Sequence, residues 1–175
     1  MTFPLRLIAP SDDEALAKLQ IQNRAFLAPW DPVRPDTYFT PSGQRADIEA
    51  SLIRHERGET VPWVVLGDDG GVAGRLTLNG IVRGPFLSCS MGYWLAESET
   101  GKGLATAAVQ SALAFADSQL GLHRVQAETL KNNVASQRVL AKVGFKEYGL
   151  APRYLKIAGE WQDHLMFQHL NGSAR

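Results

Sequence analysis

The chain has one cysteine, Cys89, among 175 residues, which excludes an internal disulfide and fits a reducing, cytoplasmic setting. It has no charge excess: 18 basic residues balance 18 acidic ones. That argues against a nucleic-acid binder working by general phosphate attraction. No apolar run approaches the roughly 20 residues of a membrane span, and residues 1–14 lack the apolar core of a signal peptide. There is no internal repeat and no low-complexity linker, so residues 1–175 are expected to form a single domain. His55, His123, His164 and His169 show no helical pair with a carboxylate at zinc spacing. They read as structural or surface groups, and no metal is expected.

Patterning predicts an ordered series of elements. Residues 5–9 read as a strand. Ser11 then caps a helix whose first turn carries Asp12, Asp13 and Glu14 and whose inner face is Leu16, Leu19, Asn23, Phe26 and Leu27. Pro29, Pro32 and Pro35 make the next stretch irregular, and it holds Trp30, Arg34, Tyr38 and Phe39. Residues 42–57 read as a second helix with Ile48, Leu52 and Ile53 inward. Strands follow at 61–66, 72–78 and 86–95, the first two joined by an Asp-Asp-Gly-Gly turn at 68–71. A helix at 101–120, a strand at 124–130 and a helix at 134–143 ending at Gly144 come next. Residues 145–157 and 161–170 form a last hairpin around Ala158-Gly159. This order implies an α/β (α+β) fold with a mixed sheet covered by helices. Cys89 reads as a buried strand residue.

The chemistry concentrates in Ser90-Met91-Gly92-Tyr93-Trp94-Leu95 and, after a short polar link, Gly101-Lys102-Gly103-Leu104-Ala105-Thr106. The first N–H groups of a helix have no internal acceptor and lie at the positive end of its dipole. Such a turn suits a phosphate or pyrophosphate. A dinucleotide fingerprint is excluded by Thr106 in the sixth place and by the distance from the strand. A nucleotide-triphosphate loop would need Gly-Lys-Ser/Thr at its end, which is absent.

SMGYWL at 90–95, TGKGLATAAV at 100–109, HRVQAETL at 123–130 and NNVASQRVLAKVGFKEYG at 132–149 together resemble the GNAT acyl-CoA N-acyltransferase superfamily. NRAFLAPWDPVRPDTYFTPSG at 23–43, NGIVRGPFLSC at 79–89 and RYLKIAGEWQDHL at 153–165 narrow the resemblance. They look like the Rim-type ribosomal-protein alanine N-acetyltransferases, closest to the RimJ branch. The resemblance implies a mostly antiparallel twisted sheet with a splayed central parallel pair and helices on both faces. It implies transfer of acetyl from acetyl-CoA to a protein's N-terminal amine, by a monomer or homodimer with no membrane or nucleic-acid partner. The family's phosphate loop falls on Thr100 to Ala105, with Thr100 in place of the usual Gln or Arg. Gly101, Lys102, Gly103, Leu104, Ala105 and Thr106 would hold the pyrophosphate, and Met91, Gly92, Tyr93, Trp94 and Leu95 the pantetheine arm. Lys102 either touches phosphate or is solvated. Asn133 takes the place of the family asparagine near the cofactor arm. Ser136 also lies at the cofactor and is the implied proton donor to the departing thiolate.

Tyr154 is the alternative donor, a substrate wall, or simple hairpin packing. Trp30, Arg34 and Tyr38 are the candidate acceptor wall. Trp161 reads as packing on the last strand, on one face with Asp163. Many relatives carry Glu at the place of Ser90, so the usual base is missing. Glu97, Glu128 and Asp163 are the remaining carboxylates to consider. An α-amine, with a pKa of about 7.7–8.0 against about 10.4 for lysine, needs less base, so the absence leans toward a terminal amine. A small-amine acetyltransferase and a non-catalytic acyl-CoA-binding module stay open beside that reading.

Overall fold

Alternation along one strand explains why this chain needs helices on both sides of a sheet. In β2 (Val61–Leu66), Val61, Trp63 and Val65 face one apolar cluster, while Val64 and the half-buried Leu66 face another. The computed structural model describes residues 4–172. Its seven strands run β1-β2-β3-β4-β5-β7-β6 across one sheet. They are β1 (Leu5–Leu7), β2, β3 (Val72–Val82), β4 (Ser88–Leu95), β5 (Arg124–Leu130), β6 (Lys146–Ile157) and β7 (Glu160–Leu170). Every neighbouring pair is antiparallel except β4 and β5.

The smaller cluster packs α1 (Asp13–Gln22) and α3 (Pro41–Glu56) on the sheet through Leu16, Ile48, Ile8 and Val64. The larger one packs α4 (Leu104–Ser118) and α5 (Val134–Lys142) on the other face. Ala108, Val109, Ala112 and Ala116 of α4 are buried, and these mostly small side chains let the helix lie close to the strands. Trp63 meets Phe115 edge-on at 5.1 Å within that layer. Cys89 is buried there, and burial pushes its thiol up to about 12, so it stays an inert core group.

Several elements differ from the pattern reading, each for a local reason. Ser11 is not a cap. Pro10–Asp12 form a tight 3₁₀ turn in which the buried Asp12 carboxylate accepts from the Ala9 N–H at 2.7 Å and from Arg6. The first helix breaks at Asn23, with a short α2 (Arg24–Leu27) following. Asn23 has left the apolar face to do polar work. Its amide donates to the Leu19 carbonyl, and its oxygen accepts the Glu97 N–H at 2.8 Å.

Helix α3 starts at Pro41 because the Thr40 hydroxyl accepts from the Gly43 N–H. Its buried stripe is Gln44, Ile48 and Ser51, leaving Ile53 49% exposed rather than inward. The Gln44 amide donates to the Tyr38 carbonyl at 2.7 Å, which sets the helix roll. The hairpin turns at Ala158 (φ 50°) and Gly159 (φ 87°), as expected, and the Ala158 N–H donates to the Asp31 carbonyl. That bond ties the hairpin tip to the proline-rich loop. Trp161 is 62% exposed on β7 instead of packed. Beside Asp36–Phe39, a Cβ added at Gly43 would lie 1.9 Å from the Thr37 carbonyl oxygen. Gly43→Ala is therefore expected to lower stability by about 1–3 kcal/mol in urea unfolding, by forcing the loop off the helix. An unchanged midpoint would contradict this close approach.

Candidate active site

The central parallel pair is short. β4 and β5 share only Ser88↔Arg124, Cys89↔Val125 and Ser90↔Gln126. Beyond that point β4 stays paired with β3 as far as Gly74↔Leu95, and β5 stays paired with β7 as far as Leu130↔His164. The two inner edges at residues 91–95 and 127–130 therefore part, and each presents backbone without a strand partner. Backbone donors and acceptors in such a gap call for a partner that carries amides of its own.

Just past the gap, the chain turns through Glu97–Glu99 into α4. Gly101 (φ 74°) and Gly103 (φ 85°) take left-handed conformations, so the turn belongs to the loop and the helix begins at Leu104 rather than 101. The first helical bond is Ala107 N–H to the Gly103 carbonyl. The N–H groups of Gly101 to Thr106 have no acceptor among the described residues. Side chains around the turn are satisfied locally. The Thr100 hydroxyl donates to the Glu97 carbonyl, and Lys102 sits 3.3 Å from Glu99. A cavity of about 380 Å³ beside the turn is lined by Lys102, Gly103 and Leu104. Loose amides at a helix N-terminus fit an anion without any side-chain help from position 100.

The two faces of the gap carry different chemistry. On the α4–α5 face, Asn133 caps α5 by accepting the Ser136 N–H. The Ser136 hydroxyl lies 2.9 Å from the Tyr93 hydroxyl, which spans from β4 to α5. Burial pushes the Tyr93 hydroxyl up to about 12, against the opposing Ser136 bond, so it keeps its proton. Strand alternation after Cys89 and Met91 hints at the side Tyr93 takes, but nothing local in the sequence names its partner.

On the opposite face, the Ser90 hydroxyl stands 3.0 and 2.9 Å from the two oxygens of Glu128. Burial pushes the Glu128 carboxyl above the usual range, while the Ser90 bond and His164 oppose it. Tyr154 is 40% exposed on a β6 irregularity and packs its ring against His164 at 5.6 Å. Ser136 and Tyr154 thus belong to opposite faces. Asp163 is occupied with the Arg153 N–H at 3.0 Å, and the Glu97 residue is exposed at the turn. A carboxylate therefore does stand beside Ser90, supplied by the neighbouring strand. This removes the sequence ground for a non-catalytic module.

Trp30, Arg34 and Tyr38 come together in one cavity of about 390 Å³, whose wall also includes Gly92 and Leu155. Arg34 lies over the Tyr38 ring at 4.7 Å and 3.6 Å from Asp31. Burial raises the Asp31 carboxyl, and Arg34 opposes that. Arg75 and Asp47 form a 2.6 Å ion pair in the same wall. Among the described residues no three His, Cys, Asp or Glu groups gather as a metal site, and no helix is long and apolar enough to cross a membrane.

Comparison with known proteins agrees with this geometry. Residues 3–146 match the acetyltransferase (GNAT) domain family. The chain is 32% identical over 163 residues to the [ribosomal protein uS5]-alanine N-acetyltransferase of Escherichia coli (strain K12), covering 93% of this chain and 84% of that one. It superposes on the ribosomal-protein-S5-alanine acetyltransferase of Vibrio fischeri with a TM-score of 0.92 and 32% identity, over 98% and 94% of the two chains. Mycobacterium smegmatis RimJ, solved with a CoA disulfide, gives 0.91 and 32% over 95% and 80%. With a parted parallel pair, an amide-lined turn and these likenesses in hand, the chain belongs to the GNAT acetyltransferase family, in its Rim-type branch.

Proposed function

We propose that this protein moves acetyl from acetyl-CoA to the N-terminal amine of a protein, and that the acceptor is a ribosomal protein beginning with alanine. The observation that carries the reading is the gap between β4 and β5, open to different chemistry on each face and followed by unpartnered amides at 101–106. The pyrophosphate lies on that turn, and the pantetheine amides pair with residues 91–95. Backbone N–H groups of β4 polarise the thioester carbonyl as charge develops on its oxygen. The acceptor amine arrives from the cavity of Trp30, Arg34 and Tyr38 and attacks the carbonyl carbon. The C–N bond forms, the C–S bond breaks, and the surplus amine proton passes, directly or through water, to the Glu128 carboxylate. The sulfur leaves toward the hydroxyls of Tyr93 and Ser136.

A free thiol has a pKa of about 8.5, far below a tyrosine pushed up to about 12. Hydrogen-bond donation to the thiolate is therefore the contribution expected of this pair, rather than complete proton loss. Tyr154, on the other face, serves the acceptor side. The alanine terminus is supported by the activity named for the relatives at 32% identity. An α-amine that is partly neutral near pH 7 also suits the site. A second reading, a small-molecule amine, is favoured by one observation. The cavity of about 390 Å³ has the size of a small ligand.

Thiol release from acetyl-CoA is expected to be fastest with peptides beginning in alanine and weak with free amino acids, antibiotics and polyamines. The reverse order would replace this reading with the small-amine one. Tyr93→Phe and Ser136→Ala are each expected to lower kcat about tenfold or more. A hydrogen bond to a charged group is worth about 1.5–3 kcal/mol. Full rates in both variants would remove the pair from the reaction.

A further inference from the structure

We propose that Gly92 is a specificity-determining residue: the space left by its missing side chain receives the side chain of the acceptor's first residue. The inference rests on the transfer reading above and names the feature of this chain that selects the acceptor's end.

Glycine weakens the interior of a strand, so a glycine in central β4 calls for a cause. Two causes serve other glycines of this chain. Gly74 on β3 is required by packing, because a Cβ there would lie 2.1 Å from the Trp94 carbonyl oxygen. Gly101 and Gly103 are required by their positive φ. Gly92 has neither cause. Its φ is not positive, and a Cβ added to it would meet no atom within 4 Å. The fold would accept alanine at this place, and what the glycine provides is empty room. A strand glycine without an internal cause marks a close approach by something else.

The register says where that room lies. Antiparallel partners share a face, so the Thr77–Gly92 pair is flanked by Arg75–Trp94 and Asn79–Ser90. Leu76, Leu78 and Met91 take the other face and belong to the larger core. Gly92 therefore presents its bare α-carbon to the α1–α3 side, on the wall of the cavity of about 390 Å³. It is also the first residue on that face beyond Ser90, the last β4 residue paired with β5. An amine that attacks a carbonyl held on the β4 edge brings its own α-carbon past this point. Thr77 borders the room across the strand pair, and the half-buried Trp94 borders it along β4. Room bounded in this way suits a small side chain such as a methyl.

The test compares kcat/KM of the full chain for two peptides that differ only in a first residue of alanine or glycine, read as thiol release from acetyl-CoA. The ratio between two acceptors of one variant cancels any change in acetyl-CoA handling that an altered β4 brings. Gly92→Ala puts one methyl into the room, and a misfit of one methylene in a pocket is worth about ten- to two-hundredfold. Its alanine-to-glycine ratio should fall about tenfold or more below that of the wild type. Its urea midpoint should not fall, since alanine suits a strand at least as well as glycine. If Gly92→Ala does not fold, Thr77→Leu decides, because it fills the same room from β3 and should lower the same ratio. A lower midpoint in a folded Gly92→Ala would give the glycine a packing role and overturn the proposal. An unmoved ratio in the deciding variant, beside a wild type active on alanine peptides, overturns only this inference. A wild type that releases thiol with no peptide overturns the transfer reading and this inference with it.

Discussion

Two strands that share three residue pairs and then part must leave backbone groups without partners, and everything else in this structure is arranged around that gap. It stays open because neither strand is free to collapse. β4 is held along its outer edge by β3, and β5 by β7, to the ends of the parted segments. The α4–α5 core fixes the same strands from below through Met91, Leu95, Val125 and Ala127. Leaving a buried backbone donor or acceptor unpaired costs about 1–3 kcal/mol, so the gap favours any ligand that can pair with it. The turn that follows holds further unpartnered amides, with Asn23 pinning the Glu97 N–H at its root.

Each face of the gap is crossed by one side-chain bridge. Tyr93 reaches α5 through Ser136 on one side, and Ser90 reaches Glu128 on the other. The first bridge presents hydroxyl donors and the second a carboxylate acceptor. An arriving amine needs to lose a proton, and a departing thiolate gains from donors. The placement therefore suits a displacement in which the amine enters from the α1–α3 side and sulfur leaves on the α4–α5 side. The loop of Trp30, Arg34 and Tyr38 and the β6–β7 hairpin, tied together at Asp31 and Ala158, frame the cavity on the α1–α3 side.

Much of this was legible in the residues. β-rich runs set off by turn residues located β2, β3 and β4, Ala158-Gly159 gave the hairpin turn, and Gly101 and Gly103 marked a loop that spares its amides. What escaped was set by distant partners. Ile53 looked inward until Gln44, fastened to the Tyr38 carbonyl, fixed the roll of α3. Asn23 read as one place on an apolar face, although its partner is 74 residues away. The missing carboxylate at Ser90 seemed a chemical gap because Glu128 sits on a strand brought alongside only by a parallel crossover. Trp161 read as packing on the last strand, yet it lies exposed on the open hairpin.

The proposed function requires one CoA molecule to be held by backbone at two places, the parted β4 edge and the turn after it. Hydrogen–deuterium exchange of the full chain with and without acetyl-CoA tests it most directly. Amides within 91–95 and 101–106 should both become protected when acetyl-CoA is added, with little change in β1 or β2. Protection confined to other segments, or absent from one of these two, would contradict the account.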